Sequence, residues 1–156
     1  MGQCAGPDDL YLAQRGFRSM AVRLHQHQAN AMLIAEWLQS RPEVRQVLYP
    51  ALPGAPGHEI WKRDFHGASG LFAFELQPFS EKAIEAMLDG MRLFGMGYSW
   101  GGYESLLIPA NVRKIRTAVP WRFKGPLLRI HIGLEDVEDL KDDLKHGLER
   151  LQYLHG

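Results

Sequence analysis

A chain of 156 residues has room for one domain of ordinary size. Lys+Arg 18 balance Asp+Glu 18, which argues against a nucleic-acid surface or a polybasic membrane patch, since both need an excess of basic side chains. The lone Cys4 leaves no intrachain disulfide framework and no multi-cysteine zinc site, and no apolar run approaches the ~20 residues that span a bilayer. The expectation is a cytoplasmic, core-forming domain with no nucleic-acid or membrane partner. Met1-Gly2-Gln3-Cys4 resembles a lipidated start only superficially, because Gly6 stands where that pattern wants Ser or Thr.

In chain order, Phe17, Met20, Ala21, Leu24, Ala31, Ile34, Ala35 and Leu38 recur at helical spacing and predict one long helix over residues 17–39. Arg41-Pro42 ends it. Residues 44–49 read as a short strand, followed by a Pro/Gly loop through Gly57. One or two helical turns follow over 58–65, and the aromatic run 70–76 reads as a strand. Ser80 is placed to cap a helix whose buried face is Ile84, Met87, Leu88 and Met91. Leu106-Leu107-Ile108-Pro109 is strand-like. Residues 127–134 alternate, with Leu128, Ile130, Ile132 and Leu134 on one face and Arg129, His131 and Gly133 on the other. A last helix over 137–154 carries Val137, Leu140, Leu144, Leu148, Leu151 and Leu154 on one side. The fold class is α+β: helices packed on one face of a small, mostly antiparallel or mixed sheet.

The segment Gly95-Met96-Gly97-Tyr98-Ser99-Trp100-Gly101-Gly102-Tyr103-Glu104-Ser105 is poor core material, because its polar tips need partners when buried. It reads either as a site-forming loop or as a glycine bulge in a strand with packed aromatics. Gly97-Tyr98-Ser99-Trp100-Gly101 also matches the nucleophile-elbow pattern of serine hydrolases. The strand-before, helix-after context is missing, and Asp136, His146 and His155 satisfy chain order without any sign of convergence. Arg129, on the polar face of its strand, suits either a bidentate grip on a carboxylate or a structural ion pair. The histidines offer little: His25 and His27 diverge on a helix, and His58-Glu59 lacks a second histidine. The basic group Arg113, Lys114, Arg116, Arg122 and Lys124 reads as a solvated loop, and no metal-ligand set is expected.

Two longer motifs, Tyr98-Ser99-Trp100-Gly101-Gly102-Tyr103-Glu104-Ser105-Leu106 and Leu128-Arg129-Ile130-His131-Ile132-Gly133-Leu134-Glu135-Asp136, resemble the C-terminal region of the transsulfuration enzymes that use pyridoxal 5′-phosphate (PLP). Gly6-Pro7-Asp8-Asp9, Arg15-Gly16-Phe17-Arg18 and Asn30-Ala31 echo the family's segment joining its large domain to its small one. Trp100 points to the bacterial cystathionine β-lyase group, since the γ-lyases and γ-synthases usually place Leu there.

The resemblance implies a fold-type-I PLP enzyme, with residues 1–16 as linker and 17–156 as its C-terminal small domain with the interdomain helix. It implies that Arg129 binds the substrate α-carboxylate and that Ser99 helps hold that carboxylate and the active-site lysine. Tyr98 and Trp100 would line the pocket, Ser99 and Tyr98 being the catalytic candidates and Arg129, Trp100 and Ser99 the substrate-binding ones. The reaction implied is α,β-elimination of cystathionine to homocysteine, pyruvate and ammonia. None of the six lysines (Lys62, Lys82, Lys114, Lys124, Lys141, Lys145) stands in the family's PLP-lysine motif. The expectation is a lyase piece that binds no cofactor covalently and is inactive without a large domain or an N-terminal fragment. Its exposed docking faces would make it a homo-oligomer. The alternatives are a non-catalytic binding or assembly module that keeps the carboxylate patch and, less well supported, the serine hydrolase.

Overall fold

The computed structural model describes residues 2–112, 115–120 and 122–153. In chain order they form α1 (Pro7–Arg18), α2 (Met20–Gln39), β1 (Val44–Leu48), α3 (His58–Asp64), β2 (Leu71–Leu76), α4 (Glu81–Asp89), β3 (Leu106–Pro109), β4 (Leu127–His131) and α5 (Val137–Tyr153). The expected Leu154 end of the last helix, His155, and the loop residues Arg113 and Lys114 lie outside the described residues.

The strands form one sheet in the order β1-β2-β4-β3, and every neighbouring pair is antiparallel. Register puts Phe72 opposite Ile130, which is opposite Leu107, while Phe74 faces Leu128. These residues make one buried face with Leu76 and Ile132. Onto that core α2 brings Ala31, Ile34, Ala35 and Leu38, α4 brings Met87, and α5 brings Leu140, Leu144, Leu148 and Leu151. The four α5 leucines are fully buried, each worth about 1.5–3 kcal/mol relative to exposure. Ser80 caps α4 as its type and position predict, its Oγ accepting from Ala83 N at 3.3 Å. At the other end of α4, Arg150 donates to the Ala86 and Met87 carbonyls at 3.1 and 3.0 Å, tying α5 to the last turn.

Two boundaries differ from the periodicity. The single helix expected over 17–39 is two helices. Pro7 with Asp8 and Asp9 starts the first, so the residues expected as a linker are helical from Pro7. The break falls at Ser19, where the Gly16 carbonyl takes donors from Ser19 N and Ser19 Oγ, both at 3.3 Å, and from Arg23 Nη2 at 2.9 Å. Only the second half of the apolar stripe packs: Phe17 is 71% exposed, and burial begins at His27. The last strand ends at His131, short of Leu134. The next three backbone amides leave the ladder for Gly70 O, Ser105 Oγ and Tyr103 O, each at 2.8 Å.

Candidate functional site

Between α4 and β3 the chain makes an excursion whose ends are tied together. Gly95 N donates to Ser105 O at 3.1 Å, and Leu107 N donates to Gly95 O at 2.9 Å. Two carboxylates fasten the base of this loop, Asp143 buried and Glu135 half-buried. The Asp143 carboxylate on α5 accepts from Arg92 N, Leu93 N and Phe94 N, the shortest bond being 2.8 Å. On the return side the Glu135 carboxylate accepts from Ser105 N at 2.7 Å and from Ser105 Oγ at 2.8 Å. Asn30 on α2 holds the Gly133 and Glu135 carbonyls at 3.3 Å each. The glycines at 101 and 102 thus lie in a loop outside the strand, and the bulge reading falls. Gly101 sits at φ +95°, where a side chain would be strained.

The loop shows its aromatic side chains to solvent: Tyr98 is 82%, Trp100 53% and Tyr103 66% exposed. β4 reaches it with two side chains from the face opposite Leu128 and Ile130. Arg129 Nη2 donates to the Tyr98 carbonyl at 2.8 Å and more weakly to Gly97 O at 3.4 Å, with the guanidinium carbon 5.9 Å from the Tyr98 ring centroid. No carboxylate among the described residues pairs with Arg129. The ion-pair reading of Arg129 therefore finds no partner there. Two residues along, His131 Nε2 lies 3.3 Å from Gly101 N and 3.1 Å from Gly102 O. Burial lowers the His131 pKa, with the neighbouring His27 pushing the same way; the Gly102 carbonyl and Glu135 act in the opposite sense.

Ser99 is exposed and forms no hydrogen bond among the described residues. Among those residues it has no histidine of the kind a nucleophilic serine needs. The chain runs on through Gly101-Gly102 into a strand and not a helix, and Asp136 spends its carboxylate on Glu138 N at 2.8 Å, so the hydrolase geometry is absent among the described residues. Ser99, Trp100 and Tyr98 do share one loop with Arg129 held against it. Sequence reasoning gave no structural role to His27, Asn30, Ser105, Glu135 or Asp143. His27 carried a usable signal: it stands three and four residues before Asn30 and Ala31, on the stripe that is buried.

A family model described as Cys/Met metabolism PLP-dependent enzyme matches residues 1–149. The chain belongs to that family. It is 50% identical over 155 residues to a cystathionine beta-lyase of Salmonella typhimurium, covering 97% of this chain and 39% of that protein. It is also 44% identical over 149 residues to an L-alanine/L-glutamate racemase of Wolbachia pipientis, covering 94% of this chain and 37% of that one. Among solved structures, cystathionine gamma synthase of Xanthomonas oryzae pv. oryzae in complex with aminoacrylate and cysteine superposes with a TM-score of 0.83 at 36% identity, over 97% of this chain and 40% of that one. The chain thus spans about two fifths of the relatives it matches.

The Cys/Met-metabolism enzymes use PLP, so the residues here have to be tested against that group. Lys62, Lys82, Lys124 and Lys145 are exposed, and Lys141 pairs with Glu138 at 2.7 Å; Lys114 lies outside the described residues. No described lysine bonds to the loop 95–105. The described site does not fit the cofactor's aldehyde. Among the described residues no helix is long and apolar enough to cross a membrane.

Proposed function

We propose that this chain is the substrate-carboxylate-binding part of a PLP-dependent carbon–sulfur β-lyase that cleaves cystathionine to homocysteine, pyruvate and ammonia in the cytoplasm. Residues 17–156 form its small domain and residues 1–16 the segment joining it to a large one. The observation that carries the reading is Arg129: a guanidinium with no carboxylate partner among the described residues, braced on the carbonyl next to Ser99. Arg129 takes the α-carboxylate of the substrate through two parallel hydrogen bonds, and the Ser99 hydroxyl adds a third. Tyr98 and Trp100 wall the pocket and shed water from it. The relatives named as a lyase, a racemase and a γ-synthase share this chain's fold while differing in reaction. What an alanine, a glutamate and a cystathionine have in common is an α-carboxylate beside an amine, the part of the substrate this site is built to hold.

By themselves residues 1–156 carry out no elimination, because the cofactor lysine comes from the large domain. The test mixes the chain with the large domain of a cystathionine β-lyase and measures thiol release from cystathionine. Activity is expected only in the mixture, and Arg129→Ala should lower kcat/KM by more than ~100-fold, the cost of truncating one partner of a buried charge pair. Borohydride trapping of PLP on a lysine of this chain alone would overturn the reading.

A binding and assembly module that keeps the carboxylate patch is the second reading. It draws on the exposed Leu10, Tyr11, Leu12, Phe17 and Val22 of α1 and early α2. These side chains make self-association of the chain the expected result in sedimentation, and a monomer at high concentration would remove that part.

A further inference from the structure

His27 on α2 and His131 on β4 are buried to 3% and 2% exposure, and their ring centroids lie 5.2 Å apart with planes tilted by 43°. Counting hydrogens narrows their states. The Ile132 carbonyl, 2.7 Å from His27 Nδ1, can only accept, so His27 carries its proton on Nδ1. In the neutral ring Nε2 is then a bare lone pair, and it is buried with no partner among the described residues. His131 Nε2 faces two backbone groups of opposite kind. Gly101 N–H at 3.3 Å needs a bare nitrogen, and the Gly102 carbonyl at 3.1 Å needs a protonated one. One nitrogen serves only one of them at a time. His131 Nδ1 is likewise buried and unpartnered.

With its proton on Nδ1, neutral His131 accepts from Gly101 N–H through Nε2; with the proton on Nε2 it donates to the Gly102 carbonyl instead. The cation carries both protons, so its Nε2 donates to the Gly102 carbonyl and frees Gly101 N–H. The surroundings leave room for this. Gly70 bears no side chain, and a Cβ there would crowd His131 Nδ1 and Cε1 at 3.2 Å each. The strand neighbours of His131 are the uncharged Leu71 and Leu106. Charged or titratable groups facing it are His27 from α2 and Glu135 from the turn after β4, whose carboxylate is committed to Ser105.

The placement matters because β4 pins one loop at two points. Arg129 holds residues 97 and 98, His131 holds 101 and 102, and Ser99 and Trp100 lie between. We propose that His131, backed by His27, is a positioning residue for Ser99 and Trp100: the neutral ring holds Gly101 N–H, the cation holds the Gly102 carbonyl, and a proton shifts the segment between two settings. That the segment receives a carboxylate rests on the function proposed above; the exchange of backbone partners does not. Since burial lowers the His131 pKa, the Gly101 setting prevails at neutral pH and the other appears on acidification.

The test is nitrogen-15 NMR of the 156-residue chain from pH 8 downward. The expected result is His27 and His131 both protonated on Nδ1 at neutral pH, with the Gly101 amide proton shifting at the same midpoint as the His131 ring. His131→Phe should abolish that shift. His131 protonated on Nε2 at neutral pH, or a Gly101 amide indifferent to its titration, would overturn the proposal; the unmutated chain alone decides this if a variant fails to fold. Adding L-alanine separates the two ideas. If it perturbs no amide near Arg129 while the Gly101 shift persists, the carboxylate reading falls and the positioning role stands.

Discussion

Two serines six residues apart in the same loop have opposite expected behaviour, and replacing each by alanine tests how the loop is built. Ser105 is fully buried: its Oγ donates to Glu135 Oε2 at 2.8 Å and accepts from Gly133 N at 2.8 Å. Ser105→Ala strands the Gly133 amide, at a cost of about 1–3 kcal/mol, and removes a bond to a charged carboxylate, worth roughly 1.5–3 kcal/mol. Glu135 keeps Ser105 N–H at 2.7 Å, which offsets part of the second loss. The expected net cost is about 3 kcal/mol, a shift of roughly 100-fold in the folded-to-unfolded ratio. Ser99 is exposed with no hydrogen bond among the described residues, so Ser99→Ala should stay within about 0.5 kcal/mol. Urea titration of both variants, read by tryptophan fluorescence, measures the difference. A Ser105→Ala loss under ~1 kcal/mol, or an equal loss from Ser99→Ala, would refute the view that one serine holds the loop while the other faces the ligand.

Asp143→Asn keeps an acceptor oxygen for the amides of residues 92–94 but discards its charge, so thermal unfolding should register a loss of about 1–2 kcal/mol, with faster amide exchange at Leu93 and Phe94. Unchanged exchange there would refute the anchoring role of Asp143. Tyr49 is buried, donates to Ser69 O at 2.8 Å, and has its pKa pushed up by burial from 10.0 to about 12. Between those values the unfolded chain sheds a proton that the folded one keeps, so stability should fall as pH rises, by about 2–3 kcal/mol in all. Tyr49→Phe should flatten that slope, and a Tyr49 that ionises with the exposed tyrosines would contradict the assignment.

Strong periodicity made the elements legible where one face meets one core. Leu140, Leu144, Leu148 and Leu151 mark α5 without ambiguity, and all four are fully buried. Periodicity failed at α1 and α2 for a local reason. Phe17, Met20 and Leu24 continue the apolar spacing of α2, but all three stay exposed, and the Gly16 carbonyl is claimed by Ser19 and Arg23. Spacing reports the face a residue occupies in a helix. It is blind to a side chain that diverts a backbone carbonyl.

The site divides along the same line. Arg129 and the 98–106 motif were readable because guanidinium, hydroxyl, aromatic and glycine residues in a tight cluster have few uses in a core. Alternation placed His131 on the polar face with Arg129, and the register agrees: Arg129 pairs with Ala73 and Ile108, His131 with Leu71 and Leu106. Alternation assigns a face, however, and cannot tell whether that face is wet. Arg129 reaches the loop near the open surface, whereas His131 is sealed beneath His27, a residue 104 positions earlier in the chain. That contact between α2 and β4 has no signature in the spacing of either segment. It follows from α2 lying across the end of β4, where Asn30 holds the carbonyls of Gly133 and Glu135. A polar residue on a buried helical stripe was the one local clue, and the partner it needs is what makes such a clue informative.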